Sequence, residues 1–313
     1  MSNHIFTETH KGYVAAALAA IFYGSSGLFV KLAQNTGLGS LDLLIVQHLV
    51  AVPILWVIVL IKYYNQIKVS KQTLGKLFFM GAFLSSTVNL LYYQSFKYLN
   101  ISIATIILYT YPIMIALFSF IFLRQKPSKI IVFSLFTAFI GCIMVLNLFN
   151  TNLIVSTAGI LYSIGAACIY AVLSIFMESI DNKVHPFVYI SYSSSFALLG
   201  FMLYRPPVHL LQTGLNGTQI GIAALLAFIC QIPPNTLIYV AIRHIGAVKT
   251  SVVANIEIPT TAILGYVFFR ETLNLSQLLG MLLVVGGILF MKNGEFFISA
   301  IKSRFQFIRK YQK

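Results

Sequence analysis

Apolar residues along this chain come in runs of about 20, the length a helix needs to cross a bilayer, with short polar or turn-forming breaks between them. Ten such runs are present, at roughly 12–33, 41–64, 74–96, 101–123, 128–149, 155–177, 186–204, 218–242, 246–269 and 275–292. They predict an all-α integral membrane protein of ten transmembrane helices. The longest connections, NQIKVSKQT and RPPVHLLQTGLNG, leave no room for a soluble domain.

Composition agrees. The chain is 58% hydrophobic with only 9% charged residues, whereas a soluble domain carries about a quarter. Its net charge of +14 would suit nucleic acid if the bases shared one polar face. They sit between apolar runs instead, as membrane topology requires, and no nucleic-acid partner is expected. With the N-terminus inside, 17 of the 21 Lys and Arg fall on the inner side, and Lys31, Lys97, Arg205 and Arg270 remain outside. This bias predicts a multi-pass protein of the plasma membrane, of the bacterial inner-membrane kind, with both termini cytoplasmic. The start, MSNHIFTETHK, lacks the marks of a signal peptide, so the first apolar run is expected to persist in the mature chain. The tail, residues 293–313, spaces Phe297, Ile301, Phe305 and Ile308 as a basic amphipathic helix for the anionic inner leaflet.

Cys142, Cys168 and Cys230 all lie in apolar runs without ligand spacing, so they read as packing residues, and neither metal nor cofactor is expected. There is no phosphate-binding loop, and Glu257 has no second acid in its span, which argues against ATP-driven transport and against an enzyme. Nor is there a re-entrant segment for a channel filter.

Sliding the chain by 146 residues lays Asn89 on Asn235, Leu91 on Leu237, Tyr93 on Tyr239, Lys97 on Arg243 and Gly141 on Gly287. A shift of 147 lays Gly12 on Gly159, Tyr23 on Tyr170 and Phe29 on Phe176. The chain therefore reads as a duplicated five-helix unit, residues 12–149 and 150–292, after a cytoplasmic segment 1–11. Five is odd, so the second copy enters the membrane from the opposite side. Inverted repeats of this kind place the substrate near the midplane, where the halves meet.

FYGSSGLFVK in helix 1, SFKYLNISIATIILYTYP in helices 3 and 4, and AIRHIGAVKTSVVANIEIP followed by GYVFFRETLNLSQLLG resemble the EamA-type branch of the drug/metabolite transporter superfamily. The likeness covers residues 12 to 292. It implies a carrier of small metabolites working by alternating access, often an exporter of amino acids or related compounds. The chain departs from the family pattern at Gln47-His48, where an Arg is frequent, and at Tyr111-Pro112 and Glu257-Ile258-Pro259, where Glu-Pro is frequent.

Glu257 stands out because a charge at the bilayer centre costs about 3 kcal/mol on insertion scales. Three roles are open to it: binding a cationic or amine group of substrate, carrying a coupling proton, or bonding backbone freed at the Pro259 kink. Pro53, Pro112, Pro233, Pro234 and Pro259 all lie within apolar runs, and Pro112, Pro233, Pro234 and Pro259 are candidate hinges. Candidate substrate-binding or gating residues are Glu257, Asn255, Tyr23, Tyr93, Asn89, Tyr109, Tyr111, Tyr170, Asn235, Tyr239 and Ser26. Aromatic faces with a few hydroxyl and amide groups suit organic solutes, amines included. His48 is a candidate proton relay beside Glu257, and Gly24, Ser25, Ser26 and Gly27 form a small-residue packing patch. The function expected is secondary transport of small organic metabolites, by a monomer or loose homodimer, with amino-acid export as the first reading. The alternatives are import of a choline-like cation or a nucleoside or nucleotide derivative, and multidrug export.

Overall fold

The computed structural model describes residues 2–34, 37–147 and 156–311, and every regular element among them is a helix. Helix α1 covers Ser2–Gln34 and α2 Ser40–Lys62. Helix α3 runs over Lys71–Ser95 and widens into a π-helical turn at Phe79–Ser85. Helices α4, Ile101–Leu108, and α5, Tyr111–Leu123, meet at a break, and α6 follows at Lys129–Val145. Next come α7, Thr157–Glu178, α8, Pro186–Tyr204, and a short α9, Val208–Thr213, inside the connection read as RPPVHLLQTGLNG. Helix α10, Gly217–Ala254, has a π-helical turn at Ala227–Gln231 and a kink at Gly246, where φ is 79°. Helix α11 is Glu257–Phe269 and α12 Leu275–Tyr311.

Among the described residues, seven helical stretches are long and apolar enough to cross a membrane, α4 and α5 counting as one, and α6 and α11 are shorter apolar helices. Their outer surface is oily: Leu203 is 81% exposed, Phe122 69% and Leu282 68%. Gln47, His48, Gln231 and Asn255 are meanwhile buried. Polar inside and apolar outside is the arrangement that lipid solvent demands.

The structure differs from the pattern reading in detail. The run 246–269 is not one helix; it continues α10 through Gly246 and breaks at Asn255 and Ile256, just as 101–123 breaks at Tyr109 and Thr110. Proline explains the position. Pro112 and Pro259 cannot donate to the carbonyls four residues back, at Leu108 and Asn255, so each sits in the first turn of a new helix, where no donor is needed. The tail predicted as a separate surface helix continues α12 to Tyr311. The side chains of its apolar stripe lie outside the described residues, as do the predicted helix ends at 149 and 155.

Local geometry recurs 146 residues apart. Helices α5 and α11 begin at Tyr111 and Glu257, have 13 residues each, and end on a left-handed arginine, Arg124 and Arg270, both at φ 54°. Past those ends Gln125 N donates to Ser119 O at 3.2 Å and Glu271 N to Gly265 O at 3.4 Å. Asn89 Nδ2 and Asn235 Nδ2 each donate at 2.8 Å to the carbonyl four residues back, Ser85 and Gln231.

Contacts recur in pairs too. A Cβ on Gly12 would stand 2.7 Å from Ile245 and 2.8 Å from His244, and one on Gly159 would stand 2.5 Å from Leu99 and 2.9 Å from Tyr98. Helices α6 and α12 meet backbone to backbone, since a Cβ on Gly141 would lie 2.6 Å from Gly280 O and one on Gly280 2.7 Å from Gly141 O. Such close approach is how helices gain packing energy in lipid, where no hydrophobic effect drives them together. Gly286, on the same helix α12, has open space. Gly141→Leu or Gly280→Leu is therefore expected to separate α6 from α12 and cost about 1–3 kcal/mol or more, read as a lower Tm or loss of monodisperse protein in detergent, while Gly286→Leu leaves both unchanged.

Candidate functional site

A cavity of about 360 Å³ lies in the middle of the bundle, walled by residues of α1, α2, α3, α4, α5, α7, α8, α10 and α11. That volume is at the small-molecule end of ligand sites. Among the described residues Glu257 is the one acid on its wall, and no Lys or Arg lines it. The break at Asn255 and Ile256 puts Glu257 at the first position of α11. There the free N–H groups and the positive end of the helix dipole favour a carboxylate. Its hydrogen-bonding side-chain neighbour is Tyr109. Among the described residues its carboxylate bonds no backbone group. Asn255 does so instead, donating from Nδ2 to Val252 O at 3.2 Å and accepting from Cys142 Sγ at 3.8 Å.

Tyrosines surround the acid. Tyr111 and Tyr170 pack edge to face with centroids 4.6 Å apart, and Tyr109 lies 6.0 Å from Tyr111. Tyr23 donates to Asn235 Oδ1 at 2.9 Å, tying α1 to α10 beside the π-helical turn. With Tyr93 and Asn89 these residues line the cavity, so eight of the eleven candidate binding residues share one space. His48 also lines it; its Nδ1 bonds Leu44 O at 2.8 Å and its ring meets Phe201 edge-on at 5.2 Å.

Three candidates do not reach the wall. Asn255 is 2% exposed and occupied by the bonds above. Tyr239 is fully buried, stacked on Tyr189 at 3.9 Å with the Arg243 guanidinium 5.5 Å above its ring, because that turn of α10 faces α8 rather than the cavity. Ser26 is on α1 beyond the point where Gly24 touches the start of α11, a Cβ there falling 2.7 Å from Glu257 O. Of the prolines, Pro112 and Pro259 flank the two breaks, and Pro233 and Pro234 follow the π-helical turn of α10.

The cavity also holds residues that the sequence reading passed over as site candidates, among them Gln47, Tyr92, Thr105, Ser193, Ser194 and Gln231. Tyr92 and Thr105 bond each other across α3 and α4 at 2.8 Å. The available signal was the repeat itself: a shift of 146 lays Ser85 on Gln231, both on the wall.

The two ends of the bundle are fastened differently. At one end Glu178 Oε2 accepts from Ala247 N at 3.0 Å, Arg243 donates to the Val184 and Asn182 carbonyls, and Lys76 donates to Ser179 O at 2.9 Å. At the other, Arg205 pairs with Asp42 at 3.3 Å.

An all-helical protein with an oily exterior, a polar interior and a solute-sized central cavity is a multi-pass membrane protein of the solute-handling class. The sequence profile of the EamA-like transporter family matches residues 10–147 and again 157–292, and the chain belongs to that family. Similar proteins include the uncharacterized transporter YcbK of Bacillus subtilis, 22% identical over 299 residues, covering 92% of this chain and 93% of that one. The uncharacterized inner membrane transporter YicL of Salmonella typhimurium is 23% identical over 298 residues, 91% of this chain and 96% of its own. One protein of known crystal structure superposes with a TM-score of 0.74 over 89% of this chain and 95% of its own at 13% identity, which shows a shared fold.

Asn255→Ala separates wall from support. Losing the buried bond is expected to lower stability by about 1 kcal/mol, seen as a lower Tm of the unliganded protein with solute-induced stabilisation retained. An unchanged Tm with that stabilisation lost would place Asn255 in the site.

Proposed function

We propose that this protein is a secondary transporter that moves small organic metabolites across the plasma membrane by alternating access. On this reading the solute carries an amino or other cationic group, which Glu257 receives, and export of amino acids or related compounds is the first assignment. The single observation that carries it is the carboxylate that stands alone, among the described residues, on a cavity wall without Lys or Arg and with Tyr23, Tyr109, Tyr111 and Tyr170 also on that wall. In a low-dielectric cavity an unbalanced acid is costly, and a cationic solute or a coupling proton offsets that cost. Tyrosine faces near a carboxylate also favour quaternary ammonium groups, so import of a choline-like cation is the second reading.

Ten spans in two inverted five-helix repeats accommodate the fold. The count is reached when α1, α6 and the broken stretch from Ala247 to Phe269 are added to the long helices. The paired family match, the paired left-handed arginines and the paired glycine contacts support a two-fold relation between the halves. Helix-initiating breaks at the centre of such repeats are how transporters present backbone dipoles to solutes. With the bases counted inward, the end carrying Glu178 and Arg243 is cytoplasmic. One chain encloses the cavity, so a monomer suffices.

Purified protein is to be screened by thermal shift against amino acids, simple amines, choline, nucleosides and neutral sugars, alongside Glu257→Gln. Compounds bearing an amino or quaternary ammonium group are expected to stabilise the native protein. Their apparent affinity is expected to fall about tenfold or more in the variant, about 1.4 kcal/mol. Equal stabilisation of both proteins by the amino and quaternary ammonium compounds would refute the assignment.

A further inference from the structure

Gln231 is a polar group without a role in the fold. It is 3% exposed and borders the central cavity, and neither its Oε1 nor its Nε2 has a hydrogen-bond partner among the described residues. The neighbouring amides are all engaged: Gln47 Nε2 donates to Leu226 O at 3.3 Å, Asn89 Nδ2 to Ser85 O, and Asn235 both donates to Gln231 O and accepts from Tyr23. A buried carboxamide with both ends unmet costs free energy, and natural proteins retain few of them outside functional sites.

Its backbone position is unusual as well. Gln231 closes the π-helical turn Ala227–Gln231 with φ −118° and ψ −60°, away from the helical centre, and Ile232-Pro233-Pro234 follows. Neither proline can donate to the carbonyl four residues back, so the α-helical ladder cannot pass through this turn. Such π-turns inside helices are frequent at functional sites. The corresponding π-turn in the first half of the chain ends at Ser85, also on the cavity wall. At the two related pairs of positions the first half thus supplies Ser85 and Tyr111, and the second half supplies Gln231 and Glu257. Both departures toward carboxamide or carboxylate chemistry lie in the second half, which gives a pseudo-symmetric cavity one more polar side.

We infer that Gln231 is a substrate-binding, specificity-determining residue. Its carboxamide turns toward the solute and pairs with a group that offers a donor and an acceptor side by side, such as a primary amide or the lactam edge of a ring. A carboxylate would satisfy only Nε2 and a hydroxyl only one atom at a time, so the pairing selects amide-like groups over both. The inference rests on the cavity being the transport site and deepens the substrate class: a solute with an amide-like group in addition to the group received at Glu257. Sites built to hydrogen-bond a polar group discriminate strongly against analogues lacking it, because their own polar atoms are then left unpaired.

The test is thermal shift and proteoliposome flux on the full chain, wild type and Gln231→Leu. Glutamine, asparagine, nicotinamide and cytidine serve as amide-like probes, and leucine and choline as probes without that group. For Gln231→Leu the unliganded Tm is expected to stay level or rise, since an unpartnered amide is replaced by an apolar group of similar size. Affinity for the amide-like probes is expected to fall about tenfold, with leucine and choline unchanged. A fall in unliganded Tm with every probe's affinity retained would make Gln231 structural and overturn the inference, as would failure of all amide-like probes to shift the wild type. Nicotinamide has no primary ammonium, so its response reads Gln231 without Glu257. In Glu257→Gln the responses to leucine, choline, glutamine and asparagine are expected to weaken while those to nicotinamide and cytidine persist, which separates the two residues.

Discussion

In a hydrocarbon solvent every backbone N–H and C=O must find its partner inside the protein, and this condition makes each interruption of a helix informative. The chain interrupts its helices at Tyr109 and Thr110, at Asn255 and Ile256, and in the π-turns Phe79–Ser85 and Ala227–Gln231. Each of these four interruptions has a residue at or beside it on the wall of the central cavity: Tyr109, Glu257, Ser85 and Gln231. Backbone that would be intolerable against lipid is affordable there, because side chains such as Asn89, Asn235 and Asn255 bond the carbonyls nearby. Everything distinctive about the site follows from where the helices stop.

The pairing of these interruptions gives the cavity its near-symmetry, and the substitutions between pairs remove it. Tyr111 and Glu257 occupy equivalent first positions of α5 and α11. A tyrosine there closes the aromatic cluster, and a glutamate there places a carboxylate at the positive end of a helix dipole. Ser85 and Gln231 repeat the theme at the π-turns. The two sides of the cavity therefore present two similar backbones and two dissimilar sets of side chains.

Rigid packing holds these positions. Glycine contacts at Gly12, Gly141, Gly159 and Gly280 bring helix backbones together, and polar fastenings at Glu178, Arg243 and Lys76 hold one end of the bundle. The helical stretch from Ala247 to Ala254 links the Glu178 fastening to Glu257 over a few turns.

Much of this was legible beforehand. Apolar runs of bilayer length, the one-sided distribution of Lys and Arg among the connections, the 146-residue offset and the isolation of Glu257 among apolar residues depend only on residue order, because lipid penalises polarity regardless of how helices pack. Eight of the eleven binding candidates reached one cavity for the same reason: a polar side chain in an apolar run must turn inward. Which inward direction it takes is a tertiary matter. Tyr93 and Tyr239 match in the repeat, yet Tyr93 lines the cavity while Tyr239 stacks on Tyr189. Asn255 is two residues from Glu257 and on the other side of the wall. Gln231 passed unnoticed because an ordinary glutamine near two prolines carries no compositional signal; only the completed packing reveals that its amide has no partner among the described residues. The residue order thus determined what had to be buried from lipid, and the tertiary structure decided which of those groups satisfy one another and which stay unpaired on the cavity wall, since hydrogen bonds depend on the last ångström of placement.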